Sequence, residues 1–205
     1  MTDIRTLLQQ TTRALASGGS PSPRLDAEVL LMRFLKIDRL VLCAHPEREL
    51  TEEECAGFAP WVERRRRGEP VAYITGIKEF WSLSFAVNGD VLIPRPETEC
   101  LVEEVLTRYG RDAGPLRIID IGAGSGAIGV ALAMELPDAR VTATDISARA
   151  LTVARQNAER HAVADRMEFF EGDLFAAYTG TFDVVVSNPP YIPDAVYPLL
   201  PKGIR

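Results

Sequence analysis

From Glu97 onward the chain alternates short apolar runs with stretches of helical period, and that alternation leaves few folds open. Leu101, Val102, Val105, Leu106 and Tyr109 recur at helical spacing; residues 116–121 read as a buried strand, 126–136 as a helix, 141–145 as a strand and 148–160 as a helix. Two further strands are expected at 167–170 and 182–187. Strands that are apolar on both faces are covered on both faces, and strands separated by helices run parallel. The expectation is an open α/β sheet wound on both sides, with ligands bound beyond the carboxyl ends of its strands.

The amino-terminal part follows a different rule. Ile4, Leu7, Leu8, Thr11 and Leu15 keep helical spacing until Gly18-Gly19-Ser20-Pro21 breaks the run. Ser22 offers an N-cap ahead of Pro23, and a short helix is expected between Asp38 and Ala44. Thr51-Glu52-Glu53-Glu54 has capping-box spacing and opens a helix reaching Arg67, with a kink or break expected at Pro60. Residues 1–76 thus read as a small helical bundle. Trp81, Leu83, Phe85 and Val87 then alternate with Ser82, Ser84 and Ala86, and Asn88-Gly89-Asp90 carries hairpin chemistry before Val91-Leu92-Ile93. Residues 77–95 are expected to be a β-hairpin linker, and 96–205 the α/β domain.

At 46% hydrophobic and 25% charged, the 205 residues have the make-up of a soluble globular protein, which excludes disorder and fibrous repeats. No apolar run has transmembrane length, and Met1-Thr2-Asp3-Ile4-Arg5 lacks the basic start of a secretory leader, so a cytoplasmic protein with no membrane partner is expected. A formal charge of −6 argues against a partner held mainly through phosphates. Cys43, Cys55 and Cys100 are widely spaced, so no metal site is expected. His45 and His161 are assigned structural roles. Arg64-Arg65-Arg66-Arg67 reads as a solvated helix terminus, with contact to an acidic or RNA-bearing partner as the alternative.

The strand ends carry the chemistry. The first runs into Asp120-Ile121-Gly122-Ala123-Gly124-Ser125-Gly126, where glycines permit a tight turn and close approach of a ligand to the backbone. Gly124-Ser125-Gly126-Ala127-Ile128-Gly129 also fits a dinucleotide pattern, so a nicotinamide site is a rival reading. A carboxylate directly before the turn repels a pyrophosphate but suits an ammonium group, such as that of S-adenosylmethionine. The second strand ends at Asp145, which can accept both hydroxyls of a ribose. The third leads to Asp173 and Leu174, an acceptor for an adenine amino group and an apolar surface for its ring. The fourth enters Ser187-Asn188-Pro189-Pro190-Tyr191. The two prolines stiffen this backbone, so the Asn188 side-chain oxygen and the Pro189 carbonyl can grip the two protons of a planar NH₂ group while Tyr191 packs on its face.

Together these segments resemble class I S-adenosylmethionine-dependent methyltransferases acting on an amide or amine nitrogen. Pro23-Arg24-Leu25-Asp26-Ala27-Glu28, Gly68-Glu69-Pro70-Val71-Ala72-Tyr73-Ile74-Thr75-Gly76, Glu79-Phe80-Trp81, Val91-Leu92-Ile93-Pro94-Arg95-Pro96-Glu97-Thr98-Glu99 and Asn188-Pro189-Pro190-Tyr191 look like the HemK/PrmC family, the peptide chain release factor glutamine N5-methyltransferases. The resemblance implies a Rossmann-like sheet. It also implies a release factor docked with help from the helical domain, and a methyl acceptor that is the glutamine of a Gly-Gly-Gln loop. By position, Gly122, Ala123, Gly124, Ser125, Gly126, Asp145, Leu174 and Asn188 would line the cofactor; Asn188, Pro189, Pro190 and Tyr191 would meet the glutamine. Residues 93–98 would lie over the same pocket. Family members continue past this length, so the sheet is expected to lack its last strands, leaving 184–186 as an apolar edge. The rival functions are an adenine-N6 methyltransferase acting on nucleic acid and an inactive binding module; direct nucleic-acid binding is not expected.

Overall fold

Side-chain caps set three of the helix starts of the amino-terminal part. In the computed structural model, which describes residues 2–110, 114–174 and 180–189, Thr2–Asp3 (β1) pairs antiparallel with Glu49–Leu50 (β2). Helix α1 (Ile4–Ser17) starts at Asp3, whose Oδ1 accepts the Thr6 N–H at 2.7 Å. Helix α2 (Pro23–Leu35) has Pro23 in its first turn; Ser22 stands at the cap position, but its hydroxyl donates to Asp26 instead. Helix α3 (Arg39–Ala44) is capped by Asp38, and α4 (Glu52–Arg66) by the expected Thr51–Glu54 box. Of the kink or break expected at Pro60, the break does not occur: α4 runs through it. Both Pro60 and Ala56, whose carbonyl loses its donor there, are exposed, so water can take that carbonyl. A fifth helix, α5 (Val71–Thr75), was not foreseen.

The core of this unit joins Ile4, Leu8, Leu15, Leu30, Leu31 and Phe58. The arginine run is not simply solvated. Arg65 turns inward, its Nε 2.7 Å from Asp26 Oδ2, and Asp26 also accepts the Ser20 hydroxyl at 2.6 Å. Arg64 pairs with Glu69, and Arg66 and Arg67 both pair with Glu63.

The second unit starts at Gly76. Its hairpin is real but its turn lies earlier than expected. Strand β3 (Ile77–Phe80) pairs with β4 (Leu83–Ala86), and Trp81 and Ser82 make the turn at φ 52° and 57°. Two consecutive left-handed residues other than glycine cost about 1–2 kcal/mol each. The Glu99 carboxylate accepts the Trp81 N–H at 2.8 Å and Glu135 accepts the indole N–H at 2.7 Å, and these charge-assisted bonds offset that strain. Asn88 closes a local turn onto the Asp90 N–H instead of reversing a hairpin.

A 3₁₀ turn at Pro96–Thr98 leads into α6 (Glu99–Tyr109). The rest alternates as read: β5 (Arg117–Ile121), α7 (Ala127–Glu135), β6 (Arg140–Asp145), α8 (Ala148–Arg160), β7 (Met167–Glu171) and β8 (Val184–Ser187). All four strands are parallel, in the order β7-β6-β5-β8, so the direction of winding reverses beside β5. Helix α7 is buried from Ala127 through Ala133, in one core cluster with Ile118, Val141 and Val184. Among the described residues β8 pairs only with β5, and Val185 is 54% exposed there.

Candidate functional site

The carboxyl ends of β5 and β8 are neighbours, with Ile121 opposite Ser187, so the glycine turn and the start of the Asn-Pro segment leave the sheet side by side. Ser187 Oγ ties the two ends, donating to the Ile121 carbonyl at 2.9 Å.

The turn after β5 needs its glycines. Gly122, Gly124 and Gly126 all have positive φ, at 73°, 54° and 77°. A side-chain carbon at Gly122 or Gly124 would meet nothing within 4 Å, so open space lies over both. At Gly126 it would lie 3.0 Å from Ala154 Cβ, because α8 presses on the turn. The backbone N–H groups are turned mostly inward. Those of Gly122 and Ala123 donate to the Thr144 carbonyl, that of Gly124 to Asp145 Oδ2 at 2.9 Å, and that of Gly126 to the Ala123 carbonyl. A phosphate cradle presents free N–H groups, and this turn has committed four of them.

Asp120 is 1% exposed. Its Oδ2 accepts the Gly129 N–H at 3.0 Å, while Oδ1 is buried with no hydrogen-bond partner among the described residues. Burial raises its pKa to about 7, against the Gly129 hydrogen bond; nearby Asp145 adds to the rise. Asp145 is held from two sides: Oδ2 by the Gly124 N–H and Oδ1 by the Ser147 N–H at 2.9 Å. Each oxygen keeps a lone pair for a hydroxyl. Ile146, next in sequence, is 72% exposed, an apolar surface beside Asp145 that no sequence pattern marks. Beyond β7, Asp173 is exposed, and Leu174 is 59% exposed at φ 50°.

At the end of β8 Asn188 is half-buried, and its Nδ2 donates to Thr98 Oγ1 at 3.0 Å, which leaves Oδ1 as its remaining acceptor. Pro189 is exposed. Pro190 and Tyr191 lie outside the described residues. In the sequence Thr98 stands out only as part of the run expected over the pocket; the contact that makes it a partner of Asn188 joins positions 90 apart, and no local pattern signals it.

The open space over the glycines, the orphaned Asp120 oxygen and the carboxylates of Asp145 and Asp173 fit a ligand with a cationic end and hydroxyls, and do not fit a pyrophosphate. S-adenosylmethionine meets that description. Among the described residues no helix is long and apolar enough to cross a membrane, and no cluster of His, Cys, Asp and Glu could hold a metal ion.

Residues 6–76 match the PrmC N-terminal domain family, and residues 97–197 the methyltransferase small domain family. A release factor glutamine methyltransferase from Nitratidesulfovibrio vulgaris is 42% identical over 98% of this chain and 68% of its own length. Its namesakes from Chlorobaculum tepidum and Moorella thermoacetica are 44% and 46% identical, over 97% and 98% of this chain and 71% of each relative. With both domain families in order and such identity along nearly its whole length, the chain belongs to the release factor glutamine methyltransferase family.

Proposed function

We propose that this chain methylates the side-chain amide nitrogen of a glutamine in a peptide chain release factor, the glutamine of its Gly-Gly-Gln loop, in the cytoplasm and with S-adenosylmethionine as methyl donor. The observation that carries this reading is the adjacency of two strand ends: the open, acceptor-rich glycine turn after β5, and Asn188-Pro189 after β8.

S-adenosylmethionine, when bound, supplies a methyl group made electrophilic by its sulfonium. Gly122, Ala123, Gly124, Ser125 and Gly126 form its seat. Asp120 would face the cationic end, Asp145 would hold the ribose hydroxyls, and Asp173, Leu174 and Ile146 would border the adenine.

An amide nitrogen is a weak nucleophile because its lone pair is shared with the carbonyl. Asn188 Oδ1 and the Pro189 carbonyl accept hydrogen bonds from its two N–H groups, which fixes the plane of the amide and stabilises the positive charge that grows on the NH₂ group as it reacts; the one proton the nitrogen loses passes to solvent. Thr98 holds the other end of the Asn188 carboxamide, so the oxygen is presented without a search among rotamers. The helical unit of residues 2–75 contributes to docking the protein substrate, as its match to the PrmC N-terminal domain supports.

The test is transfer of a labelled methyl group to intact release factor, run beside a release factor whose loop glutamine is alanine, and beside DNA and RNA. Label in the first alone is expected. Label that survives loss of the glutamine, or that enters nucleic acid instead, sinks the reading.

A further inference from the structure

Asn157 on α8 is fully buried, and nothing in the reaction described above uses it. Its Oδ1 accepts the Ala86 N–H at 2.7 Å; its Nδ2 donates to the Ala86 carbonyl at 3.0 Å and to the Ser125 carbonyl at 2.8 Å. These partners dictate which way the carboxamide faces, since the N–H requires the oxygen and both carbonyls require the NH₂. Ala86 belongs to β4 of the hairpin and Ser125 to the glycine turn, so one side chain joins two segments far apart in sequence.

At Ala86 the carboxamide meets both backbone groups, as a neighbouring strand would. At Ser125 it fixes a peptide plane: the carbonyl is drawn to Asn157, and the Gly126 N–H on the far side of that plane reaches the Ala123 carbonyl at 2.8 Å. One helical turn earlier Ala154 closes on Gly126, so α8 supports the turn at two positions on one face. The same helix end grips the hairpin again, with His161 Nε2 3.1 Å from the Ser84 carbonyl.

We propose that Asn157 is a positioning residue for the cofactor turn: it holds the Ser125–Gly126 peptide in the orientation that receives S-adenosylmethionine, and through Ala86 it makes cofactor affinity depend on the β3–β4 hairpin. The proposal rests on the reading of that turn as the S-adenosylmethionine site. Loss of the side chain frees the peptide plane, and the bound shape must then be selected from several.

The experiment is calorimetric titration of S-adenosylmethionine into wild type, Asn157→Ala and Val153→Ala, with Tm measured for each. Val153 is buried on the same helix and makes none of these hydrogen bonds, so its truncation reports a core defect alone. Asn157→Ala is expected to weaken binding about tenfold or more, whereas Val153→Ala stays within about twofold. Equal affinity in Asn157→Ala and wild type overturns the proposal, and so does a loss of affinity that follows Tm alike in both variants. A second measurement needs no variant to fold. Saturating S-adenosylmethionine is expected to slow hydrogen exchange at the Ala86 and Gly126 amides together, and protection of Gly126 without Ala86 overturns the link to the hairpin. A wild-type chain that binds no S-adenosylmethionine overturns the cofactor reading itself and this proposal with it; wild-type binding that the Asn157 change leaves intact overturns this proposal alone.

Discussion

Replacing Asp120 by asparagine should remove most of the pH dependence of folding stability that this buried carboxyl imposes. The side chain sits at 1% exposure with one oxygen on the Gly129 N–H and the other without a partner among the described residues, and its pKa rises from an ordinary 3.8 to about 7. Between those values the native state keeps the proton that the unfolded chain has released. The native state therefore holds more protons there, and stability falls as pH rises through the window. The full loss corresponds to about 4 kcal/mol, complete above about pH 7 and absent below about pH 4. Asparagine occupies the same volume, can still accept the Gly129 N–H and does not titrate. Urea unfolding of both proteins across this range should show the variant gaining on the wild type by up to about 4 kcal/mol as pH rises, a large share of a typical domain's stability. A constant difference between the two proteins at all pH values would mean that Asp120 is ionised in the native state, and the argument for a neutral buried carboxyl fails. On the proposed placement of S-adenosylmethionine its cationic end would favour the ionised form of Asp120, so wild-type affinity should rise with pH through about 7, and the variant should lose that rise.

The remaining predictions concern the reacting amide and the helical unit. Asn188→Ala should lower kcat by about a hundredfold or more while the dissociation constant for S-adenosylmethionine moves only a few-fold; equal losses in both would contradict its role on the acceptor amide. Thr98→Val should lower kcat about tenfold with cofactor affinity intact, and Thr98→Ser should restore it, as single-turnover methyl transfer would report. Arg65→Ala leaves Asp26 buried without its guanidinium, and should destabilise the helical unit by about 3 kcal/mol in denaturant titrations, with Ser20 and Ser22 too weak as donors to compensate.

Much of the architecture was legible because its signals are local. The apolar runs of β5, β6 and β8, the glycines after β5 and the Thr51–Glu54 box each need only their immediate neighbours, and each occurs where the pattern put it. The hairpin turn was misplaced because the left-handed pair Trp81-Ser82 depends on Glu99 and Glu135, which local sequence cannot pair with it. Asn88-Gly89 has the composition of a turn and makes one, but of a different kind. Pro60 fails to end α4 because its side of the helix faces water. At the site, Asp120, Asp145 and Asn188 were recognisable as strand-end polar groups. That Gly129, Gly124 and Thr98 are their partners was not, and with those pairings went the knowledge that Asp120 is buried and that the turn's N–H groups are occupied.

The double hold on Asp145 changes how a substitution there should be interpreted. Gly124 and Ser147 already immobilise the carboxylate, so on the proposed function an incoming diol would meet acceptors whose rotational freedom was surrendered during folding, with little ordering left for the moment of encounter. Truncating this one side chain would therefore unmoor the neighbouring loop as well as remove the acceptors, and the affinity lost would exceed what two hydroxyl contacts are worth.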